Sequence, residues 1–183
     1  GGALAVACAL RARERGPQIS LQVLFYPWLD VRPNSQSMQS CKEEDELHIA
    51  MQEDLAFASE VYGPPVVAQD DDDDDDDDEP KVEEWMKVAE ASPLLAESLS
   101  NLPRTFLAYA ADDLLAADCR SFASRLRKEC GTEAVHELEL PEPLGPGFAK
   151  DPHRPGTYAA LAAAGAFASG VLSAPRSEPP DGV

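Results

Sequence analysis

The carboxylate of Asp113 is the side chain of this sequence that is best placed to do chemistry. It follows an apolar run at residues 105–110 and precedes a helical pattern that begins near Ala116. In α/β proteins that position lies at the carboxyl end of a strand, where functional side chains collect. A carboxylate there can hold a histidine imidazole in the tautomer that takes a proton from a nucleophile. The alternative role is a helix N-cap, which the neighbouring Asp112 would fill equally well.

The elements that would position Asp113 alternate between helix and strand. Short apolar runs predict buried strands at residues 21–26 and 105–110, and partial alternation predicts a third strand at residues 135–140. Helical patterns predict helices at residues 3–14, 47–62, 81–90, 116–129 and 157–172, and residues 32–46 are predicted as a loop. This order predicts an α/β sheet with right-handed crossovers.

The composition is that of an acidic globular domain. The chain has 183 residues, of which 44% are hydrophobic, and this is enough for one domain with a core. Its net charge of −19 includes ten acidic groups at residues 70–79. We expect no nucleic-acid partner, because phosphate recognition needs clustered Lys and Arg. We also expect no transmembrane segment, because no apolar run reaches the ~18 residues of a membrane span.

The cysteines give no sign of a metal site. None of the four is paired in the CxxC spacing that zinc sites use, and the sequence predicts no metal ligands. They are Cys8, Cys41, Cys119 and Cys130. Free thiols are the favoured interpretation, and they favour a cytoplasmic location.

Five local strings, in their order and spacing, resemble the C-terminal half of the hormone-sensitive-lipase-like family of α/β-hydrolases. They are Gly1-Gly2-Ala3-Leu4-Ala5, Leu24-Phe25-Tyr26-Pro27-Trp28-Leu29-Asp30, Ala91-Ser92-Pro93-Leu94-Leu95-Ala96 with Leu102-Pro103, Asp113-Leu114-Leu115, and Phe122-Ala123 with Leu126. The resemblance implies a partial α/β-hydrolase fold, a mostly parallel sheet with flanking helices whose N-terminal half is missing. The expected domain spans residues 1–172, with an acidic solvated insertion at about 64–80 and a disordered tail at 173–183.

The resemblance also implies a chemistry. The family hydrolyses carboxylic esters by a serine mechanism without a metal or organic cofactor, and Asp113 stands where its triad acid lies. Gly1 and Gly2 are similar to the end of the nucleophile elbow, Gly-Asp-Ser-Ala-Gly-Gly, and would let the following helix pack tightly. We therefore expect the nucleophile immediately upstream of Gly1, so that the chain is a fragment and inactive alone. The implied ligand is a small-molecule ester or another apolar molecule.

The histidine of the triad is harder to place. The family keeps it in a His-Gly-Phe string about thirty residues past the aspartate, where this sequence has Gly145-Pro146-Gly147-Phe148. His153, in the loop that follows, is a weak candidate for the base, and a solvated loop histidine is the alternative. His136 is predicted within a strand and His48 at the start of an exposed helix.

Two other functions stay open. A ligand-binding homologue without catalysis would resemble the plant gibberellin receptors, which belong to the same group and also lack the triad histidine. An acidic interaction segment is suggested only by the nine aspartates at residues 70–78. Because adjacent like charges repel and no apolar group is present there, we expect this run to be a solvated insertion rather than a cation site.

The strand predicted at residues 21–26 has no preceding strand in this sequence with which to pair. An unpaired apolar edge promotes association between chains. We therefore expect the isolated chain to be poorly soluble or molten.

Overall fold

Three parallel strands and their flanking helices make up the described part of the chain. A computed structural model describes residues 1–40, 49, 53, 57, 84–141, 144 and 147–174. The helices and strands, in chain order, are α1 (Gly2–Arg15), β1 (Leu21–Phe25), α2 (Gln36–Gln39), β2 (Arg104–Ala110), α3 (Ala116–Cys130), β3 (Val135–Leu140) and α4 (Pro155–Ser173). Short 3₁₀ turns occupy Glu84–Lys87, Pro93–Leu95, Thr132–Ala134 and Phe148–Lys150.

The sheet has the strand order β1-β2-β3, with both pairings parallel. In the register of the sheet, Leu107 of the central strand is paired with Leu24 of β1 on one side and with Glu137 of β3 on the other. The predicted α/β architecture, a mostly parallel sheet with flanking helices, is confirmed. Strand β2 is apolar almost throughout because helices cover both of its faces.

Alternation along β2 divides the core into two clusters. Leu107 and Tyr109 pack with residues of α1 and α3, among them Val6 and Phe122. The strand positions between them pack on the other face with α4; they are Phe106, Ala108 and Ala110. The sheet is therefore a layer between α1 and α3 on one side and α4 on the other.

Two segments differ from their sequence prediction. Residues 81–90 were expected to be a helix, and the described residues from 84 onward form only the 3₁₀ turn Glu84–Lys87. Residues 32–46 were expected to be a loop, but they contain α2. The side chain of Ser35 caps this helix by accepting a hydrogen bond from the N–H of Met38, a local device that favours one turn of helix.

Several predictions lie wholly or partly outside the described residues. Of the helix predicted at residues 47–62, only Ile49, Glu53 and Phe57 are described, and all three are helical. The acidic insertion at about 64–80 is outside the description, as are His48 and Cys41. The predicted tail at 173–183 is described only at Ser173, where α4 ends, and Ala174.

Helix α4 is the one part of the described chain that could cross a membrane by length and composition. The window is Gly156–Ser173, and 22% of it is buried. The sequence prediction of no membrane span overlooked this stretch, in which small residues dilute the apolar side chains. A single such helix is weak evidence for insertion. Thr157, Ala160 and Ala164 are its buried positions, and their spacing places them on the side that faces the sheet.

Candidate functional site

The candidate site lies at the edge of the sheet where the parallel strands end. Strand β1 ends at Phe25 and is followed by Tyr26, whose N–H donates to the carbonyl oxygen of Ala108 at 2.7 Å. Strand β2 ends at Ala110 and turns into α3 through Asp113. In a sheet of this kind, side chains from successive strand ends converge at this edge.

Asp113 is buried, with 5% of its surface exposed. Its N–H donates to the carbonyl oxygen of Ala110 at 3.1 Å, and its Oδ1 accepts a hydrogen bond from the N–H of Leu115 at 2.8 Å. Its Oδ2 is buried and has no hydrogen-bond partner among the described residues. One carboxylate oxygen is thus fixed by the backbone while the other is available to a donor.

Burial is the main influence on the acidity of this group. Desolvation raises the pKa of Asp113 above its usual value, and the N–H of Leu115 partly offsets this. The nearby charge of Asp112 raises the pKa further. An imidazolium beside Oδ2 would favour the ionised form, because an opposite charge at short range lowers a carboxyl pKa.

Neither Asp112 nor Asp113 is the N-cap of helix α3. The N-cap of α3 is Leu115, and no side chain caps the helix. Asp112 is exposed at the surface of the same turn. Asp113 instead bonds the N–H two residues further on, as an Asx-turn does.

Gly2 brings helix α1 close to the same edge. A Cβ atom placed on Gly2 would lie 2.5 Å from the Cβ and 2.8 Å from the Cα of Pro27, which follows Tyr26. Gly1 has no atom within 4 Å of such a Cβ. The tight packing anticipated for the two glycines therefore occurs at Gly2, and the start of α1 lies beside the end of β1.

The structure does not join the described histidines to Asp113. His153 is exposed in the loop before α4, where its N–H donates to Oδ1 of Asp151 at 3.0 Å. His136 stacks on Phe106 at 5.5 Å between ring centroids, on the face of the sheet that α4 covers. Pro146, which stands at the expected histidine position, lies outside the described residues.

The string after Pro146 does reach the site edge. Gly147 has a φ of 72°, a left-handed conformation that favours glycine. Phe148 is 1% exposed and packs edge-on against Tyr26, with their ring centroids 5.2 Å apart. Phe148 thus anchors the described part of this segment, Gly147 and Phe148, at the end of β1.

Tyr26 also lies at this edge, although its residue type and position in the sequence do not single it out. With Asn101, it is one of two described non-glycine residues with positive φ, at 35°. Such a backbone costs roughly 1–2 kcal/mol in an L-residue. Desolvation raises the pKa of its phenol, and the charge of Asp113 raises it further. Nothing in the sequence signals the unusual φ, although the Tyr26-Pro27 string was part of the family resemblance.

A buried polar cluster behind the site was also missed. Asp30 forms a two-point ion pair with Arg32 and accepts a hydrogen bond from the Ser92 hydroxyl at 3.3 Å. Asp118 is fully buried, and its Oδ1 accepts from the N–H of Ser37 at 3.2 Å. We call these five residues the Asp30–Asp118 clasp. It ties the segment after β1 to the first turns of α3, next to the Asp113 turn.

Cys119, near this edge, does not provide a nucleophile. The thiol of Cys119 is buried and donates to the carbonyl oxygen of Pro27 at 3.7 Å. Burial, followed by the charges of Asp113 and Asp118, raises its pKa, which keeps it in the unreactive thiol form. Among the described residues no group of three or more His, Cys, Asp or Glu side chains is arranged to hold a metal ion.

Comparison with known proteins identifies the class that this fold and edge define. A family model described as alpha/beta hydrolase fold matches residues 1–140. The chain therefore belongs to the α/β-hydrolase fold family. No match was found among proteins of curated function.

Solved structures of esterases share the fold. A bacterial heroin esterase has 24% identity and a TM-score of 0.68, with 97% of this chain and 50% of that chain covered. The esterase of Pyrobaculum calidifontis has 22% identity and a TM-score of 0.68, with 95% and 50% covered. Carboxyl esterase 2 of the fungus Tuber melanosporum has 21% identity and a TM-score of 0.67, with 93% and 50% covered. The chain spans about half the length of these proteins.

Proposed function

We propose that this chain is the part of a hormone-sensitive-lipase-like carboxylic-ester hydrolase that supplies the triad acid, Asp113. The observation that carries the proposal is the state of this carboxylate. It is buried at the end of β2, its Oδ1 is held by the N–H of Leu115, and its Oδ2 has no partner among the described residues. A triad acid needs this arrangement, because its free oxygen must accept the imidazole N–H.

The chemistry follows from that role. With its N–H held by Asp113, the imidazole takes the proton of a serine hydroxyl as the oxygen attacks the ester carbonyl. The alcohol leaves with a proton from the imidazolium, and water then hydrolyses the acyl-enzyme by the reverse sequence. From the resemblance we infer that the serine lies two residues before Gly1, with an alanine between them. The packing of Gly2 against Pro27 supports this by bringing the start of α1 to the edge where Asp113 lies.

The test uses the protein encoded by the full open reading frame that contains this chain, assayed with p-nitrophenyl acetate and butyrate. Replacing Asp113 by Asn should lower kcat by about three to four orders of magnitude, because the imidazole loses its orienting acceptor. Asp112→Asn is the matched control, since Asp112 is exposed in the same turn, and it should retain activity. Equal activity of the two variants would refute the role of Asp113.

The source of the base is tested separately. If His153 is the base, His153→Ala should lose activity as fully as Asp113→Asn. If only Asp113→Asn loses activity, another histidine of the full protein acts as the base.

One observation favours a second candidate function. Proline stands at residue 146, where the family keeps its histidine. A homologue that binds an ester or an apolar ligand without hydrolysing it would retain the fold and Asp113 but need no base. Saturable binding of p-nitrophenyl butyrate without release of p-nitrophenol would favour this function over hydrolysis.

A further inference from the structure

Tyr26 departs from the alternation of its strand. In β1 the even-numbered position Leu24 belongs to the cluster beneath α1 and α3. By alternation Tyr26 would face the same way, yet its ring packs with the cluster on the opposite face, beside Phe25 and Phe148. The φ of 35° accounts for this, because it turns the side chain out of the extended pattern.

The backbone conformation is held from both sides. The N–H of Tyr26 stays bonded to Ala108 at 2.7 Å, so the strand pairing continues through the unusual residue. The ring meets Phe148 edge-on, with 68° between the two planes. Strained residues that their surroundings fix in this way cluster at functional sites.

The phenol of Tyr26 carries a hydrogen-bond donor that no described residue uses. Tyr26 is only partly buried, and its hydroxyl makes no hydrogen bond with any described residue. Burial and the charge of Asp113 both raise its pKa, which keeps the hydroxyl protonated. The next residue, Pro27, packs against Gly2. Tyr26 therefore lies at the same edge of the sheet as the start of α1 and the Asp113 turn.

We propose that Tyr26 is a substrate-binding residue whose hydroxyl donates a hydrogen bond to an oxygen of the bound carboxylic ester. The inference rests on the proposed function and extends it by naming a binding group. An uncharged ester fits this edge better than its carboxylate product, because the Asp113 carboxylate follows the end of the neighbouring strand β2.

The test compares Tyr26→Phe with Tyr158→Phe in the protein from the full open reading frame. The first variant keeps the ring that packs on Phe148 and removes only the hydroxyl, and Tyr158 is an exposed tyrosine on α4, with 73% of its surface accessible. For p-nitrophenyl butyrate we expect Tyr26→Phe to lower kcat/KM about tenfold, mainly by raising KM, as the loss of one hydrogen bond predicts. Tyr158→Phe should match the wild type, and both variants should melt within a few degrees of it.

The outcomes separate this inference from the proposed function. If the wild type hydrolyses the ester and Asp113→Asn does not, but Tyr26→Phe has the kinetics of Tyr158→Phe, only the inference fails. If the wild type releases no p-nitrophenol, the proposed hydrolysis fails. In that case the role of Tyr26 is tested by measuring the Kd of the same ester by isothermal titration calorimetry. A Kd about tenfold higher for Tyr26→Phe supports it, and equal Kd values or no binding by the wild type overturn it.

Discussion

Single residues at the edge of the sheet are positioned by the backbone rather than by one another. Asp113 takes its orientation from the N–H of Leu115, and Tyr26 takes its own from the bond to Ala108. Gly2 allows α1 to approach because it has no side chain to meet Pro27. Substitutions here should therefore act through backbone displacement as much as through lost chemistry.

Gly2→Ala tests this at the point of closest approach. The added methyl would lie 2.5 Å from the Cβ of Pro27 and 2.8 Å from its Cα, so the helix or the strand end must move. We expect a loss of roughly 1–3 kcal/mol in the free energy of unfolding of the full protein, as for other overpacked sites. Urea denaturation measures it, with Gly1→Ala as the control because nothing lies within 4 Å there. A Gly2→Ala protein as stable as Gly1→Ala would contradict the packing described for Gly2.

At this scale the sequence predicted the position of Asp113 after a strand end but not the backbone conformation of Tyr26. An aspartate directly after an apolar run and before a helix is a local pattern, so its place at a strand end could be inferred. The φ of Tyr26 depends on Ala108 and Phe148, which lie about 80 and 120 residues away. No local pattern encodes contacts of that kind.

At the scale of elements, the Asp30–Asp118 clasp fixes the segment after β1 against α3. It places two buried carboxylates beside one guanidinium, that of Arg32. Burial raises the pKa of Asp118 to about 6, and the charge of Asp30 raises it while Ser37 and Arg32 lower it. The Oδ2 of Asp118 is buried without a partner among the described residues, so the ionised form is poorly solvated.

Asp118→Asn should therefore change the pH dependence of stability. Because the folded pKa lies above the usual value of 3.8, the folded state holds its proton more tightly, and stability falls as pH rises from about 4 through about 6. Above pH 7 the variant should be more stable than the wild type by up to roughly 1–3 kcal/mol, with the difference vanishing near pH 4. Urea denaturation between pH 4 and 8 measures it, with the exposed Asp112→Asn as the control. A difference that did not change with pH would exclude titration of Asp118 as its cause.

The sequence predicted the positions of the strands and of the long helices, but it did not predict helix α2. Apolar runs predicted β1 and β2, and partial alternation predicted β3, all to within one residue at each end, because the buried positions of a strand demand apolar side chains. Helix α2 spans only Gln36–Gln39, too short for a periodic signal, and is held by Asp118 across 81 positions of sequence. The burial of Asp118 itself contradicts the usual exposure of charged residues, and only the folded arrangement accounts for it.

At the scale of the whole molecule, the sheet has an open side. No strand of the described residues pairs with the outer edge of β1. Val23 in this strand and Ile19 before it are each 36% exposed. Helix α4, which covers one face of the sheet, has no charged residue. Its side chains Tyr158, Leu161 and Leu172 are exposed. A layer with these two apolar surfaces is incompletely covered.

We expect the isolated chain of residues 1–183 to be poorly soluble or to melt without a sharp transition. Differential scanning calorimetry and binding of an apolar dye would show a broad transition and strong dye fluorescence at low temperature. The protein of the full open reading frame, measured in the same buffer, is the control and should melt cooperatively. A sharp melt of monomeric chain would rule out this expectation.

The clasp has one more consequence, for residues 41–91. Two hydrogen bonds join the chain segments on either side of that stretch. The Ser92 hydroxyl donates to Asp30, and the N–H of Leu94 donates to the carbonyl oxygen of Leu29 at 3.0 Å. Hydrogen bonds therefore hold the two ends of this stretch close together. For any chain closed at these two contacts, the cost of closure grows only with the logarithm of its length, so removing nine of about 50 residues changes it by ~0.2 kcal/mol. The number of residues between the contacts therefore has little effect on the stability of the sheet.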